Sequence, residues 1–242
     1  VLTEIYTYYF RNYLYAGAGI SLSDKNFFGG GRVLTTAVRG YYNSVENYRG
    51  EWINTLFQPF LFGNKNTSGS WNIGLKYISE EISATSTLTN LFSVSHELPT
   101  YTYLNRIVGS WETDYDNITL KEDLQSEEVI INSFSLNAIN STLALGLIHN
   151  SVNNIQFPFK GNFQSYDFED SGLMSGLLKQ FINAYINSYF KATTLASFYF
   201  NLSNREFQVP SALATKLYVG SIFEYGDNTF NFNGEEISGD RV

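Results

Sequence analysis

Residues 23–42, SDKNFFGGGRVLTTAVRGYY, decide how the whole chain is read. Asp24, Lys25 and Asn26 are turn formers, and Gly29, Gly30 and Gly31 reach backbone angles closed to other residues. From Arg32 onward the residues alternate, with Leu34, Thr36, Val38 and Tyr42 on one face and Thr35, Ala37, Arg39 and Tyr41 on the other. A period of two is the signature of a strand. Upstream, Leu14, Ala16, Ala18, Ile20 and Leu22 also share a face. Strand, glycine turn and strand make a hairpin, and the rest of the chain repeats that unit.

Charged residues make up 16% of the 242, below the roughly 25% usual in soluble domains. Aromatics reach 17%, with 18 Tyr and 20 Phe. No apolar run approaches the ~18–20 residues of a membrane-spanning helix. Two all-β classes fit this profile. One is a soluble β protein. The other is an antiparallel transmembrane β-barrel, whose strands alternate lipid-facing and lumen-facing residues and whose rims carry aromatics. The absence of cysteine excludes a disulfide scaffold and thiolate metal sites. A net charge of -8 argues against nucleic acid as a partner. No signal peptide is recognisable, and the chain opens directly on a strand-like segment, as expected of a mature fragment or excised domain.

Alternation predicts strands over 2–10 and 12–22 (one long or two short), then 33–42, 51–62, 69–79, 86–98, 101–111, 134–149, 155–169, 194–202 and 212–226. In 69–79, Trp71, Ile73, Leu75 and Tyr77 oppose Ser70, Asn72, Gly74 and Lys76, the pattern of a lipid-facing strand. Over 177–191 a helix competes, but the period-two split and the many Asn, Tyr and Phe residues favour a strand. The acidic run 114–128 reads as a strand end plus an exposed loop. The count is about a dozen strands of roughly 9–14 residues, nearer the ~9–11 of membrane strands than the 5–6 of soluble ones. Short turns such as 63–67 alternate with longer polar connections at 82–87 and 114–128, and no composition break divides residues 1–242. On each strand, residues opposite the apolar stripe supply a candidate lumen lining: Arg39, Asn54, Lys76, Arg106, Lys179, Lys216 and Glu224.

Three motifs resemble one family. Asp24–Arg32, DKNFFGGGR, is similar to the first hairpin turn of the bacterial surface antigen superfamily of outer-membrane barrels, with Phe28, Gly29 and Gly31 at the motif positions. FQPFLFG (57–63) and FPFKG (157–161) resemble its later strand end and strand entry. The tail FQVPSALATKLYVGSIFEYGDN (207–228) resembles the barrel of outer-membrane patatin-like phospholipases through Tyr218, Val219, Gly220, Glu224 and Gly226. The resemblance implies a 16-stranded translocator barrel in the bacterial outer membrane, here incomplete. It would carry an N-terminal lipase passenger outside this chain, as in a patatin-type autotransporter. The superfamily's lumen-loop motif is missing. Val38–Tyr41, VRGY, falls too early to supply it and reads as strand sequence. Sequence is expected to be missing between Phe200 and Arg205. The partners implied are the lipid bilayer, the chain's own passenger and periplasmic domain, the outer-membrane assembly machinery, and a second copy in a homodimer. The alternatives are an insertase or two-partner secretion pore of the same superfamily, and a soluble β-sandwich binding module.

No enzyme is expected in this chain. It has neither the Gly-x-Ser-x-Gly elbow nor the Asp-Gly step that a patatin Ser–Asp dyad needs. His149, Asn150 and Ser151 are adjacent on a strand and alternate faces, so they do not form a triad. His96 and His149 have no third metal ligand, and the acidic run is a weaker Ca²⁺ candidate than a solvated loop. The triple glycine has no following helix or Lys-Ser/Thr to cradle phosphate. No cofactor is expected.

Overall fold

The computed structural model describes residues 1–10, 13–43, 47–120, 135–154, 156–179, 185–186, 188–202, 211–225, 229–232 and 235–238. It is a single-layer antiparallel sheet. The strands are β1 (Leu2–Phe10), β2 (Tyr13–Asp24), β3 (Val33–Tyr42), β4 (Tyr48–Gln58), β5 (Thr67–Ser79), β6 (Ser83–Glu97), β7 (Arg106–Leu120), β8 (Ser135–Asn150) and β9 (Gly161–Asp170). Helix α1 (Gly172–Lys179) and the short β10 (Tyr185–Ile186) follow, then β11 (Tyr189–Asn201) and β12 (Ala212–Glu224). A separate small hairpin pairs β13 (Thr229–Phe232) with β14 (Glu235–Ser238). Eleven strands of the twelve-stranded sheet follow chain order from β1 to β12, and β10 lies off this path, parallel to β8. Among the described residues β1 and β12 do not pair with each other, so the sheet is open.

This architecture rules out the sandwich alternative, which needs two packed sheets. The accessible surface is 16859 Å², whereas a folded soluble monomer of this mass has about 11,000 Å². Buried apolar side chains among the described residues are few: Tyr15, Ala37, Ile139 and Ile186. The sheet is nevertheless two-sided. On β2, Leu14 is 61% exposed and Tyr15 only 7%, and the main contacts of β2 among the described residues are with its ladder neighbours β1 and β3. Along β2 the odd-numbered positions Tyr15, Gly17, Gly19 and Ser21 form the less exposed face, and the even-numbered positions are exposed.

The glycine hairpin stands as read, between β2 and β3. Phe28, Gly29, Gly30 and Gly31 have φ of 53, 78, 69 and 72°. A run of left-handed residues costs each L-residue about 1–2 kcal/mol, which is why three of the four are glycine. Asn26 holds the turn: its carbonyl accepts from Gly29 N (2.8 Å) and its side-chain oxygen from Gly31 N (3.3 Å).

Several expected boundaries move. β4 stops at Gln58, and Pro59, which lacks an N–H donor, precedes a 3-10 turn at Leu61–Gly63. Residues 101–105 form a connection, and β7 begins at Arg106 and runs to Leu120, so Asp114 and Asp116 are strand residues and not loop. Residues 83–87 are part of β6. The connection at that end, 80–82, is short, while those at 59–66, 98–105 and 151–160 are longer, reversing the expected asymmetry at these positions. Of the strand expected over 177–191, the described residues form the end of α1, β10 and the start of β11, and residues 180–184 and 187 lie outside the described residues. Residues 121–128, the suspected gap after Leu202, and Gly226 of the tail motif lie outside the described residues.

β9 is shorter than β8, pairing only with Leu143–Asn150, and α1 occupies the edge left over. Ser175 Oγ accepts Ser141 N–H (2.8 Å) and donates to Ser171 O (2.6 Å), so a buried strand edge is satisfied without a neighbouring strand. Ile186 covers Ile139 beside Tyr115.

At Gly161, which opens β9 with φ 110°, an added Cβ would lie 2.3 Å from Ser151 O. At Gly30 it would meet nothing within 4 Å. Gly161→Ala is therefore expected to destabilise the folded chain by about 2–3 kcal/mol and Gly30→Ala by about 1 kcal/mol, measured by urea unfolding in detergent or vesicles.

Candidate functional site

Residues directly opposed in an antiparallel ladder share a face, so the register assigns every strand position to one side of the sheet. One row runs Gly19, Arg39, Glu51, Lys76, Thr87, Asp116, Ala138 across β2 to β8. The rows beside it carry Asp114 opposite Thr89 and Glu112 opposite Leu91. Farther round, Glu169 faces Lys191, and their ion pair is 3.0 Å long. Lys216 opposes Ser197 and Glu224 opposes Tyr189 on the same side. Following these rows through the twelve-stranded sheet, every charged strand residue lies on this one face except Asp24 and Asp170. Those two are the terminal residues of β2 and β9.

The charged face is also internally bonded. Thr87 Oγ1 donates to Asp116 (2.6 Å), Ser165 Oγ to Asp167 (3.0 Å), and Ser70 and Ser93 share a bond of 2.8 Å. Arg49 contacts Glu51 two residues along β4. Tyr15 lies in this face of β2, the less exposed one, and half-buried Arg39 in the same face of β3.

The opposite face carries no charge within its strands. Its rows read Ile20, Val38, Trp52, Leu75, Leu88, Tyr115, Ile139 and, two residues on toward the glycine-turn end, Leu22, Thr36, Asn54, Ile73, Asn90, Thr113, Ser141. A third runs Leu34, Leu56, Trp71, Phe92, Trp111, Leu143. Polar groups in the middle row are partnered locally. Thr36 donates to Asn54, Trp71 Nε1 to Asn90 (2.7 Å) and Trp111 Nε1 to Ser141 (2.9 Å). Both rows flanking it are apolar or aromatic, and many of their members, including Val38, Trp71, Leu75, Leu88 and Phe92, are exposed.

Of the expected lumen set, Arg39, Lys76, Arg106, Lys216 and Glu224 share the charged face. Asn54 does not: its cross-strand neighbours are Thr36 and Ile73, which puts it on the charge-free face. Lys179 is the last residue of α1 and belongs to no strand. Glu51, Glu112, Asp114, Asp116, Glu169 and Lys191 belong to the charged face and were not foreseen there. The spacing of two in Glu112, Asp114 and Asp116 was the available signal for a strand. His96 bonds Thr67 and His149 stacks on Tyr103 with ring centroids 4.1 Å apart, so each has its own partner. Asn150 points to the opposite face from His149, and Ser151 Oγ bonds Asn162.

One polar latch lies at a strand end. Tyr225 Oη donates to both carboxylate oxygens of Asp170 (2.8 Å each), and Tyr225 N–H to Ser188 O (3.0 Å). Asp170 also accepts from Leu173 N (2.9 Å), capping the start of α1. Partial burial, then the Asp170 carboxylate, raises the Tyr225 phenol above its usual value.

No protein-family model matches the sequence, and no curated protein matches it. The fold does have a counterpart in the crystal structure of BamA from Haemophilus ducreyi lacking POTRA domains 1-3, with a TM-score of 0.53 at 16% identity. The match covers 93% of this chain and 47% of that one, so the chain spans about half the length of the structure it resembles. The likeness is one of fold: an all-β antiparallel sheet of the BamA barrel type, seen here open. No helix among the described residues is long and apolar enough to cross a membrane, which says nothing about strands.

Tyr225→Phe tests the latch. Because the folded-state value is raised, the stabilisation is fully present below pH about 10 and is lost as pH rises through the folded value. The variant is expected to lose about 1 kcal/mol at neutral pH, discounted because Tyr225 is 41% exposed, and to lack the wild-type decline in stability above pH 10. Unfolding midpoints across pH 7–11 (roughly the span of phenol titration) provide the check.

Proposed function

We propose that this chain forms part of an outer-membrane β-barrel of the translocator or insertase kind, its charged face lining a wet interior and its charge-free face meeting lipid. The observation that carries this reading is the segregation of charge. In water, neither face of a single-layer sheet needs to exclude charge. Against lipid, an outward Lys or Arg costs about 2–4 kcal/mol at the bilayer midplane, so a sheet with one charge-free face and, among the described residues, no second sheet covering it matches a hydrocarbon boundary. On this reading Arg39, Lys76, Arg106, Lys216 and Glu224 line the lumen together with Glu51, Asp114, Asp116 and the Glu169–Lys191 pair. The chain supplies an anchor or conduit and no catalytic group.

Within that class we favour the translocator barrel of a patatin-type autotransporter, displaying or exporting an N-terminal lipase. Tyr218, Val219, Gly220 and Glu224 in β12 support it by their resemblance to that branch. A barrel of the insertase or two-partner secretion kind is the second reading, favoured by the fold likeness to BamA. The bilayer, a periplasmic domain, the assembly machinery and a homodimer belong to both proposals. A lipase fused ahead of the barrel and displayed at the cell surface would select the first.

Adjacent residues of β6 give a direct test. Thr87 is on the charged face beside Asp116, and Leu88 is on the charge-free face, exposed between Leu75 and Tyr115. Leu88→Lys is expected to cost about 2–4 kcal/mol in lipid vesicles and Thr87→Lys less than about 1. Urea titration of the vesicle-inserted chain measures both. Equal small costs, or a chain monodisperse without detergent, would sink the membrane reading. Heat-modifiable gel migration would support it.

A further inference from the structure

The glycine turn does more than join two strands. It folds toward the 59–66 connection, where Pro59 Cγ lies 3.5 Å from the position of a Cβ on Gly31 and Leu61 packs over Gly69. The two loops and the underlying strands border an open cleft of about 450 Å³, within the roughly 300–1,000 Å³ of small-molecule sites. Phe27, Phe28, Leu56, Leu61, Trp71 and Phe92 form its apolar walls. The Phe27 and Phe28 rings sit 4.3 Å apart, and Phe28, held at positive φ, is 82% exposed. Leu56, Trp71 and Phe92 occupy one register row of the charge-free face.

Among the described residues a single cation, Arg32, lines this cleft. Arg32 Nε donates to Gln58 Oε1, and Gln58 Nε2 is tied in turn to Phe60 O (3.0 Å), so the guanidinium is held at the cleft. Its terminal NH2 groups have no protein acceptor among the described residues. Among the described residues no acid lines the cleft, and the nearby Asp24 carboxylate is engaged with Asn26 N (2.9 Å). An apolar slot on a lipid-facing surface, with one unneutralised guanidinium beside it, complements an acyl chain bearing a phosphate.

We propose that this cleft is a binding site for an anionic bilayer lipid, with the acyl chain against Leu56, Trp71 and Phe92 and the headgroup phosphate on Arg32. The proposal rests on the membrane reading above, and Trp111 separates the two. It lies in the same register row as Trp71, two strands away and outside the cleft. The chain has three Trp residues, so variants retaining Trp71 alone or Trp111 alone isolate each signal.

The test reconstitutes each variant in phosphatidylcholine vesicles containing equal mole fractions of acyl-brominated phosphatidylglycerol or acyl-brominated phosphatidylcholine. Trp71 fluorescence is expected to be quenched at least about twofold more by the brominated anionic lipid, reflecting the charge-assisted phosphate contact. Arg32→Gln should bring that ratio to one, Arg32→Lys should retain a preference, and Trp111 should be quenched equally by both lipids. A Trp71 ratio of one in the parent, or a preference that survives Arg32→Gln, overturns the site while quenched Trp111 leaves the membrane reading standing. Failure of both tryptophans to quench overturns both.

Discussion

Cross-strand register is the constraint on which the structure depends. Side chains alternate with a period of two, so a slip of one residue would turn a strand's whole charged set toward the opposite face. In this sheet the ladder from β2 to β8 aligns Arg39, Glu51, Lys76 and Asp116 on one side and Val38, Trp52, Leu75 and Leu88 on the other. Backbone hydrogen bonds are the same in either register. On the proposed membrane reading, what selects this one is that it collects the internal charges on one face, where they can be hydrated or paired, and leaves the other face without any.

That constraint also accounts for the polar row within the charge-free face. Asn54, Asn90 and Ser141 are uncharged and each has a neighbour across the ladder: Thr36, the Trp71 indole and the Trp111 indole. A hydrogen-bonded amide or hydroxyl is tolerable in an apolar setting where an ionised side chain is not. The same logic governs α1. Where β9 ends early, the exposed edge of β8 would leave backbone groups unpaired, and Ser175 supplies the missing partner from a helix. The Tyr225–Asp170 contact then ties the end of β12 to the start of α1.

Much of this was legible along the chain. Strands over 2–10, 33–42 and 69–79 follow from alternation, and the glycine hairpin follows from the need for successive left-handed residues. Sequence and structure part where both faces of a segment carry apolar residues or where a polar stretch belongs to a strand. In β4, Ile53 and Phe57 oppose Trp52 and Leu56, so hydropathy alone does not say which side Asn54 joins. In β7, the acidic residues read as a loop, yet Glu112, Asp114 and Asp116 stand at strand spacing on the charged face. Residues 177–179 alternate well enough for a strand but continue the helix begun at Gly172, which the extra length of β8 accommodates.

By itself the sequence determined that this is an all-β chain of long amphipathic strands joined by hairpins, because alternation and turn chemistry are local properties. Which side each charge occupies, that Asn54 sits among apolar neighbours, and that Arg32 reaches a cleft walled by Trp71 and Phe92 were decided only by the tertiary structure. Those outcomes depend on pairing residues far apart in the chain, and the energy that fixes the pairing is the cost of a misplaced charge summed over the whole sheet.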